Sequence, residues 1–464
     1  NGIVLGMNRT TKRLLRGNKK KLKNPHSMIA GHTGSGKSLF AKLTEISQTL
    51  IFTDDDIFYI DPNNEIEEYV RIFGGQYFDF TPQCQNYLNP FEVPQMVWES
   101  DGIVQNRFIA KKCDFGGRFV AACMKGISIT QIYLDFVEEA TRAVYEEYFS
   151  GKDFHDQPTL MKIWDKLQKE QERVTLEKEK NILLDIVKSL KSYTTGVYDM
   201  FAHPSNMDIS NRLVGFGLKN IPENAREPIM LTLMHSIQMR VEFNQQDWKA
   251  SVLMVDESQV LCKDEFAASE LLYAVETYRK CGGIITFLFQ NLKHALENPR
   301  LRDMLSNCSC KIFFDQGGVD AEALAKIQEL SKEEYLALNE SQPGYGLLVW
   351  DTQVYLLDAV MDSENELFPY IDTNFHEKAK AKNEKEREEK GFVLKDRVVS
   401  LISISPMDKQ TICDMCASTN TQKQVEETIR QLVMENTIVE KQEKYYLTED
   451  TSKKKQKKHY LWKG

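Results

Sequence analysis

"MIAGHTGSGKSLFAK", Met28 to Lys42, sets a short apolar run against a glycine-rich loop, and a helix-permissive run with Leu39, Phe40 and Leu43 follows. Strand, loop and helix in that order are what a phosphate cradle needs. Gly31, Gly36, Lys37 and Ser38 fit G-x-x-x-x-G-K-[ST], whose glycines let consecutive backbone N–H groups converge on phosphates with no Cβ in the way. Gly34 adds a third permissive position. The loop opens a helix, so its N–H groups and the positive end of the helix dipole face one anion. The span Gly31, Thr33, Gly34, Ser35, Gly36, Lys37, Ser38 and Leu39 is therefore expected to line ATP. Lys37 would reach the β and γ phosphates, and Ser38 would hold Mg²⁺. With glycine at about 7% of residues, such a match arises by chance in only about one sequence in a hundred.

At 464 residues, 42% of them hydrophobic, the chain has material for about three domains with real cores. A net charge of −9 excludes a surface basic throughout, although lysines and arginines gather at both ends. No apolar run approaches the ~20 residues of a membrane span, and no signal peptide is visible. The chain begins at Asn1 without methionine, so further upstream sequence is expected. Nine cysteines at irregular spacing fit a reducing, cytoplasmic setting. Cys413-x-x-Cys416 lacks a second pair to complete a zinc site and reads as buried packing.

Outward from the loop, an entry segment covers 1–24 and the first part of an α/β core covers 25–95. "DDIFYID" is a buried strand delivering Asp61, "GGQYFDF" a short second strand, and "NYLNPFEV" a turn-rich exit. From 96 to 207 the pattern changes to helical, with apolar residues three and four apart in "IYLDFVEEATRAVYEEYF" and "NILLDIVKSLKSY". This is an all-α insertion. Strands resume over 208–361, where "SVLMVDES" ends in Asp256-Glu257 and "GGIITFLFQN" in Gln290, and "CKIFFDQ", "GYGLLVW" and "TQVYLLD" close the sheet. Alternating strands and helices predict a parallel sheet with right-handed crossovers. A charged linker, 362–393, precedes a unit over 394–449 that reads as three short helices and a two-stranded wing, a winged-helix-like domain. Its third helix carries Glu426 and Glu427 beside Lys423 and Arg430, which favours protein docking over DNA. A basic tail, 450–464, ends the chain and offers a contact for nucleic acid or acidic lipid.

ATP hydrolysis needs a cradle, a metal anchor, a group that orients water and a positive charge for the transition state. Asp256 at the end of an apolar strand suits Mg²⁺, Glu257 is the natural base for the attacking water, and Gln290 can sense the γ-phosphate. Asp61 is placed one strand further along.

Together "GHTGSGKS", "IDPNNEIEEYVRIFGGQYFDF", "NYLNPF", "VDES", "YRKCGGIITFLFQN" and "LSNCSCKIFFDQ" resemble the conjugative ATPase of type IV secretion systems, the VirB-four class of HerA/FtsK-like motors. The resemblance runs from about Gly2 to Val360, insertion included. It implies a RecA-like P-loop NTPase core, ATP hydrolysis, homo-hexamers and work with other secretion-channel and coupling proteins, peripheral to the cytoplasmic membrane. A monomer or dimer in isolation stays open. The family usually continues its acid pair with alanine and tryptophan, where this chain has Ser258-Gln259, and the threonine common before the strand-end glutamine is Phe289. By resemblance to related hexameric motors, Arg279 is the cation supplied to a neighbouring subunit's phosphate, with Lys280 and Arg302 as runners-up.

Three functions follow. The favoured one is a motor energising assembly of, or transfer through, a conjugation or type IV secretion apparatus. A DNA-pumping translocase of the FtsK, HerA or coupling-protein type shares the core. A nucleotide-gated scaffold with little turnover is the third, and Glu257 speaks against it.

Overall fold

Five strands are buried at every position: β3 (His26–Ala30), β4 (Asp56–Asp61), β6 (Leu213–Gly217), β7 (Ser251–Val255) and β8 (Gly283–Phe289). That is why their sequences are near-continuous apolar runs rather than alternating ones, since helices cover both faces of the sheet. The computed structural model describes residues 2–360 except 83, 152, 264, 291, 293–297, 318–320, 323, 325–329, 340 and 341, together with 395, 398–399, 401–402, 406–416, 422–442 and 444–448. The charged linker and the basic tail lie outside the described residues. The chain divides into two units, Asn1–Ile371 and Asp372–Gly464.

With β1 (Ile3–Asn8), β2 (Leu14–Gly17), β5 (Gln76–Asp79), β9 (Cys308–Phe313), β10 (Tyr345–Trp350) and β11 (Gln353–Asp358), the first unit forms an 11-stranded sheet in the order β2-β1-β11-β10-β9-β3-β8-β7-β4-β6-β5. From β9 to β5 every pairing is parallel. The wholly parallel expectation is corrected at the other edge, where β10, β11, β1 and β2 pair antiparallel. The cause is local. Only Asp351 and Thr352 separate Trp350 from its partner Gln353, and a connection that short makes a hairpin.

Alternate residues of each central strand serve two apolar layers. Phe58 and Ile60 of β4, with Leu253, Val255, Phe287 and Phe289, face the layer shared with the insertion. Ile57 and Tyr59, with Val252, Met254 and Leu288, face Phe40, Ala41 and Ile46 of the helix that follows the glycine loop. That helix starts at Lys37, runs as a π-helix over Ala41–Ser47 and ends at Phe52.

The insertion contains four long helices, Gly102–Cys123, Gln131–Ser150, Leu160–Arg173 and Glu177–Thr194. Asp101 caps the first through the Ile103 and Val104 N–H groups, and the Thr159 hydroxyl caps the third. The "NPF" turn fastens insertion to core: Asn89 donates to the Pro158 carbonyl at 2.7 Å, and the Tyr145 hydroxyl donates to the Phe91 carbonyl. Buried Lys112 adds a clasp, donating to the Pro90 carbonyl at 2.7 Å and lying 2.9 Å from His235 on the long helix Glu223–Gln246. Burial lowers the Lys112 pKa to about 7.

In the second unit, helices Lys409–Cys416 and Gln422–Met434 pack on a sheet of three strands, β12 (Met407–Asp408), β14 (Lys444–Leu447) and β13 (Ile438–Lys441), in that order. The expected two-stranded wing thus gains a third strand, directly ahead of the helix Lys409–Cys416. Cys413 and Cys416 sit in this unit's apolar core with Val398, Ile412, Ile429 and Leu432. Among the described residues, no helix is long and apolar enough to cross a membrane.

Candidate nucleotide site

The strand order places the ends of β3, β8 and β7 side by side, so the glycine loop, Gln290 and the acid pair meet at one edge of the sheet. Ligands of open α/β sheets bind outside such carboxyl ends. Glycine is required at three loop positions. Gly36 has φ +96°, and a Cβ there would stand 3.0 Å from the Gly344 nitrogen. At Gly31 a Cβ would come within 2.3 Å of the Ser35 hydroxyl. Gly34 opens on empty space, and glycine is needed there for its backbone alone, at φ +83°. Thr33 is exposed, Ser38 and Leu39 are half-buried, and the buried Ser35 hydroxyl has no hydrogen-bond partner. The loop's flank is closed by the approach to β10, where the Gly344 N–H donates to the Ser35 carbonyl at 3.0 Å.

Lys37 is buried with its ammonium 3.4 Å from Glu257 Oε1 and 3.9 Å from Asp256 Oδ1. Glu257 also accepts from the side-chain amides of Gln290 and Gln259. Its backbone is left-handed, φ +45° and ψ +43°, a conformation costly for a residue with a Cβ and common where a site demands a particular aim. Burial raises its pKa, against the pull of Lys37, and the Asp256 charge adds to the rise. A carboxylate so placed is a better proton acceptor than one in water. Asp256 is anchored by the Tyr59 hydroxyl at 2.7 Å and by the Glu257 N–H at 2.8 Å.

Asp61 and Arg279, also named from the sequence, are placed differently. Asp61 ends β4 beside β7, where Ile60 pairs with Val255, so it lies one strand beyond the acid pair, and burial together with the Asp256 charge raises its pKa. Its carboxylate accepts from the Ile66 N–H at 2.9 Å, the Asn63 N–H at 3.2 Å and the Tyr77 hydroxyl at 3.1 Å, so it holds its own loop. Arg279 precedes the 7 residues of β8 that Gln290 follows, about 20 Å from the acid pair at ~3.3 Å per residue. It is exposed and donates to the Asn24 side-chain oxygen. Lys280 beside it and Arg302 on the helix Pro299–Ser306 are also exposed.

Sequence reading missed Tyr59 and Gln259. Gln259 carried a signal, because it stands where the resembled family has a tryptophan. Tyr59 carried none, since a tyrosine inside "DIFYID" reads only as strand.

The TraG P-loop domain model matches residues 15–343. The type IV secretion system protein virB4 of Bartonella henselae is 21% identical over 321 residues, 67% of this chain and 36% of that protein. The DNA import protein CedB of Sulfolobus acidocaldarius is 24% identical over 272 residues, 57% of this chain and 40% of that protein. The chain thus matches well under half the length of these curated relatives. Among solved structures, VirB4 of Thermoanaerobacter pseudethanolicus gives a TM-score of 0.59 at 22% identity, covering 78% of this chain and 97% of that one. The bacterial conjugative coupling protein TrwBdeltaN70 gives 0.50 at 11%, covering 78% and 93%. Both are likenesses of fold.

Proposed function

The chain belongs to the TraG P-loop domain family, and from that premise we propose that it is an ATP-hydrolysing motor energising assembly of, or substrate transfer through, a conjugation or type IV secretion apparatus. One observation carries the reading: Lys37, Glu257 and Gln290, from the ends of three adjacent strands, converge in a buried cluster. A scaffold that merely bound nucleotide would not need an acid aimed from a left-handed backbone.

The residues fit ATP and Mg²⁺. The open space at Gly34, the Cβ-free approach at Gly31 and Gly36 and the unpartnered Ser35 hydroxyl form a cradle for phosphate oxygens. The Ser38 hydroxyl and Asp256 would hold Mg²⁺, which when bound supplies positive charge to the β and γ phosphates. Lys37 is held by Glu257 and would turn to the γ-phosphate as ATP enters, freeing the carboxylate. Glu257 then takes the proton from the water whose oxygen attacks the γ-phosphorus, and ADP leaves. Gln290, hydrogen-bonded to Glu257, reports the γ-phosphate to the base.

Arg279 cannot serve its own site from the far end of β8, so we assign it to a neighbouring subunit's phosphate in a homo-hexamer. The relatives' names, a type IV secretion system protein and a conjugative coupling protein, support a place in a secretion apparatus, and we assign the chain to its cytoplasmic side. A DNA pump is the second reading, favoured by the similarity to a DNA import protein.

ATPase rate, measured with and without DNA across protein concentration, tests the proposal. Turnover without DNA, rising faster than concentration, is the expected result. Turnover only with DNA would support the pump, and ATP binding without turnover would leave a scaffold.

A further inference from the structure

Ser258 and Gln259, which follow the acid pair, replace the alanine and tryptophan usual in the resembled family, and each makes a contact that ties the base in place. Ser258 is buried, and its hydroxyl donates to the Val255 carbonyl at 2.7 Å, which fastens the turn after Glu257 to the end of β7. Gln259 is half-buried on the short helix Ser258–Leu261 that this turn opens. Its side-chain amide donates to Glu257 Oε2, and its side-chain carbonyl accepts the backbone N–H of Gln290 at 3.4 Å. One side chain therefore joins the acid past the end of β7 to the backbone past the end of β8.

The two oxygens of Glu257 are held by different donors. Oε1 accepts from Lys37 at 3.4 Å and from the side-chain amide of Gln290, whereas Oε2 accepts from Gln259. When Lys37 turns to the γ-phosphate, Oε1 loses a donor and gains room for a water, while Oε2 stays held. Glutamine suits this double contact because its amide donates and its carbonyl accepts at once. A tryptophan there has an N–H donor and no acceptor, so it could not also take the Gln290 N–H. Glu257 needs such a hold. Its carboxylate is aimed from a left-handed backbone at φ +45°, and supporting hydrogen bonds are what confine a side chain so placed to one productive geometry.

We propose that Gln259 is a positioning residue for hydrolysis: it holds Glu257 Oε2 against the end of β8, so that Oε1 is the oxygen presented to the attacking water. The inference rests on the assignment of Glu257 as the base, and adds which oxygen takes the proton and what aims it. In this role Gln259 touches no reacting atom, so its loss slows the chemical step and spares ATP binding.

The test is single-turnover hydrolysis beside ATP affinity by calorimetry, on the full chain, for wild type, Gln259→Met, Glu257→Gln and the double variant. Gln259→Met is expected to bind ATP as wild type does and to hydrolyse it about 10- to 100-fold more slowly, the cost of a base misaimed by about an ångström. In the Glu257→Gln background the same change should cost nothing further, because its effect passes through the carboxylate. Gln259→Glu keeps the shape and the acceptor, loses the donor and sets a second negative charge beside Glu257. It should be slowed at least as far, and it decides the matter if circular dichroism shows the methionine variant misfolded. Undiminished turnover in the folded Gln259 variants would overturn the proposal. So would equal losses with and without Glu257, which would make Gln259 a structural side chain. Failure of the underlying reading looks different: Glu257→Gln would then hydrolyse ATP at the wild-type rate, which removes the base and this inference together.

Discussion

A single torsion sets the aim of Glu257, and a single missing Cβ sets the path of the loop at Gly36. Replacing Gly36 by alanine forces a side chain into a left-handed backbone, at about 1–2 kcal/mol, and against the Gly344 nitrogen at 3.0 Å. Gly36→Ala should therefore keep its fold by circular dichroism yet lose ATP affinity by calorimetry. His26, which opens β3, gives a pH test. Its Nε2 donates to the Val275 carbonyl at 2.9 Å while Nδ1 accepts the Ile285 N–H at 3.0 Å, so both nitrogens are used by the neutral ring. Burial lowers its pKa to about 4 from 6.5. Between those values the unfolded chain binds the proton and the folded one does not, so stability falls as pH drops from 6.5 to 4. The loss is about 3 kcal/mol for this group, at ~1.4 kcal/mol per unit. Urea melts of His26→Gln should show a shallower decline than wild type over that window.

The elements explain what could be read in advance and what could not. Gly31, Lys37 and Ser38 were legible because backbone geometry demands those residue types at fixed spacing, and Asp256, Glu257 and Gln290 because apolar strands ended in them. Asp61 obeyed the same rule and lies one strand beyond Asp256, but its carboxylate also holds the turn from Asn63 to Ile66, a use that a strand-end position does not announce. The antiparallel edge was hidden because it depends on a two-residue hairpin and on strands separated in sequence by more than three hundred residues. The π-helix over Ala41–Ser47 was equally invisible, although it presents Glu45 to Lys19. Ser27 and Thr286 complete that buried knot, at 2.7 and 3.3 Å from the ammonium, and it ties the cradle's helix to β3 and β8. Removing one partner of a buried pair leaves a charge without compensation, at about 3–5 kcal/mol. Glu45→Ala should destabilise by that order in chemical melts, and adding Lys19→Met should recover most of the loss. An additive double variant would mean that the two charges do not depend on each other.

At the scale of the molecule, the division at Ile371/Asp372 implies two cooperative units. Truncation after Ile371 should leave ATP hydrolysis and the main thermal transition intact. The role we assign to Arg279 is tested at the level of the assembly. Arg279→Ala should bind ATP normally and hydrolyse it about 10³-fold more slowly. Mixing it with Lys37→Ala should restore part of the rate, by pairing a sound cradle with a sound finger. A dead variant that no mixture rescues would remove the role across subunits. The motor reading as a whole rests on the division of labour between cradle and base, and one paired measurement reaches it: ATP affinity by calorimetry beside single-turnover hydrolysis, for wild type, Lys37→Ala and Glu257→Gln. Lys37→Ala should lose affinity, whereas Glu257→Gln should bind as tightly as wild type and lose turnover. Wild-type affinity in Lys37→Ala, or undiminished turnover in Glu257→Gln, would contradict the assignment.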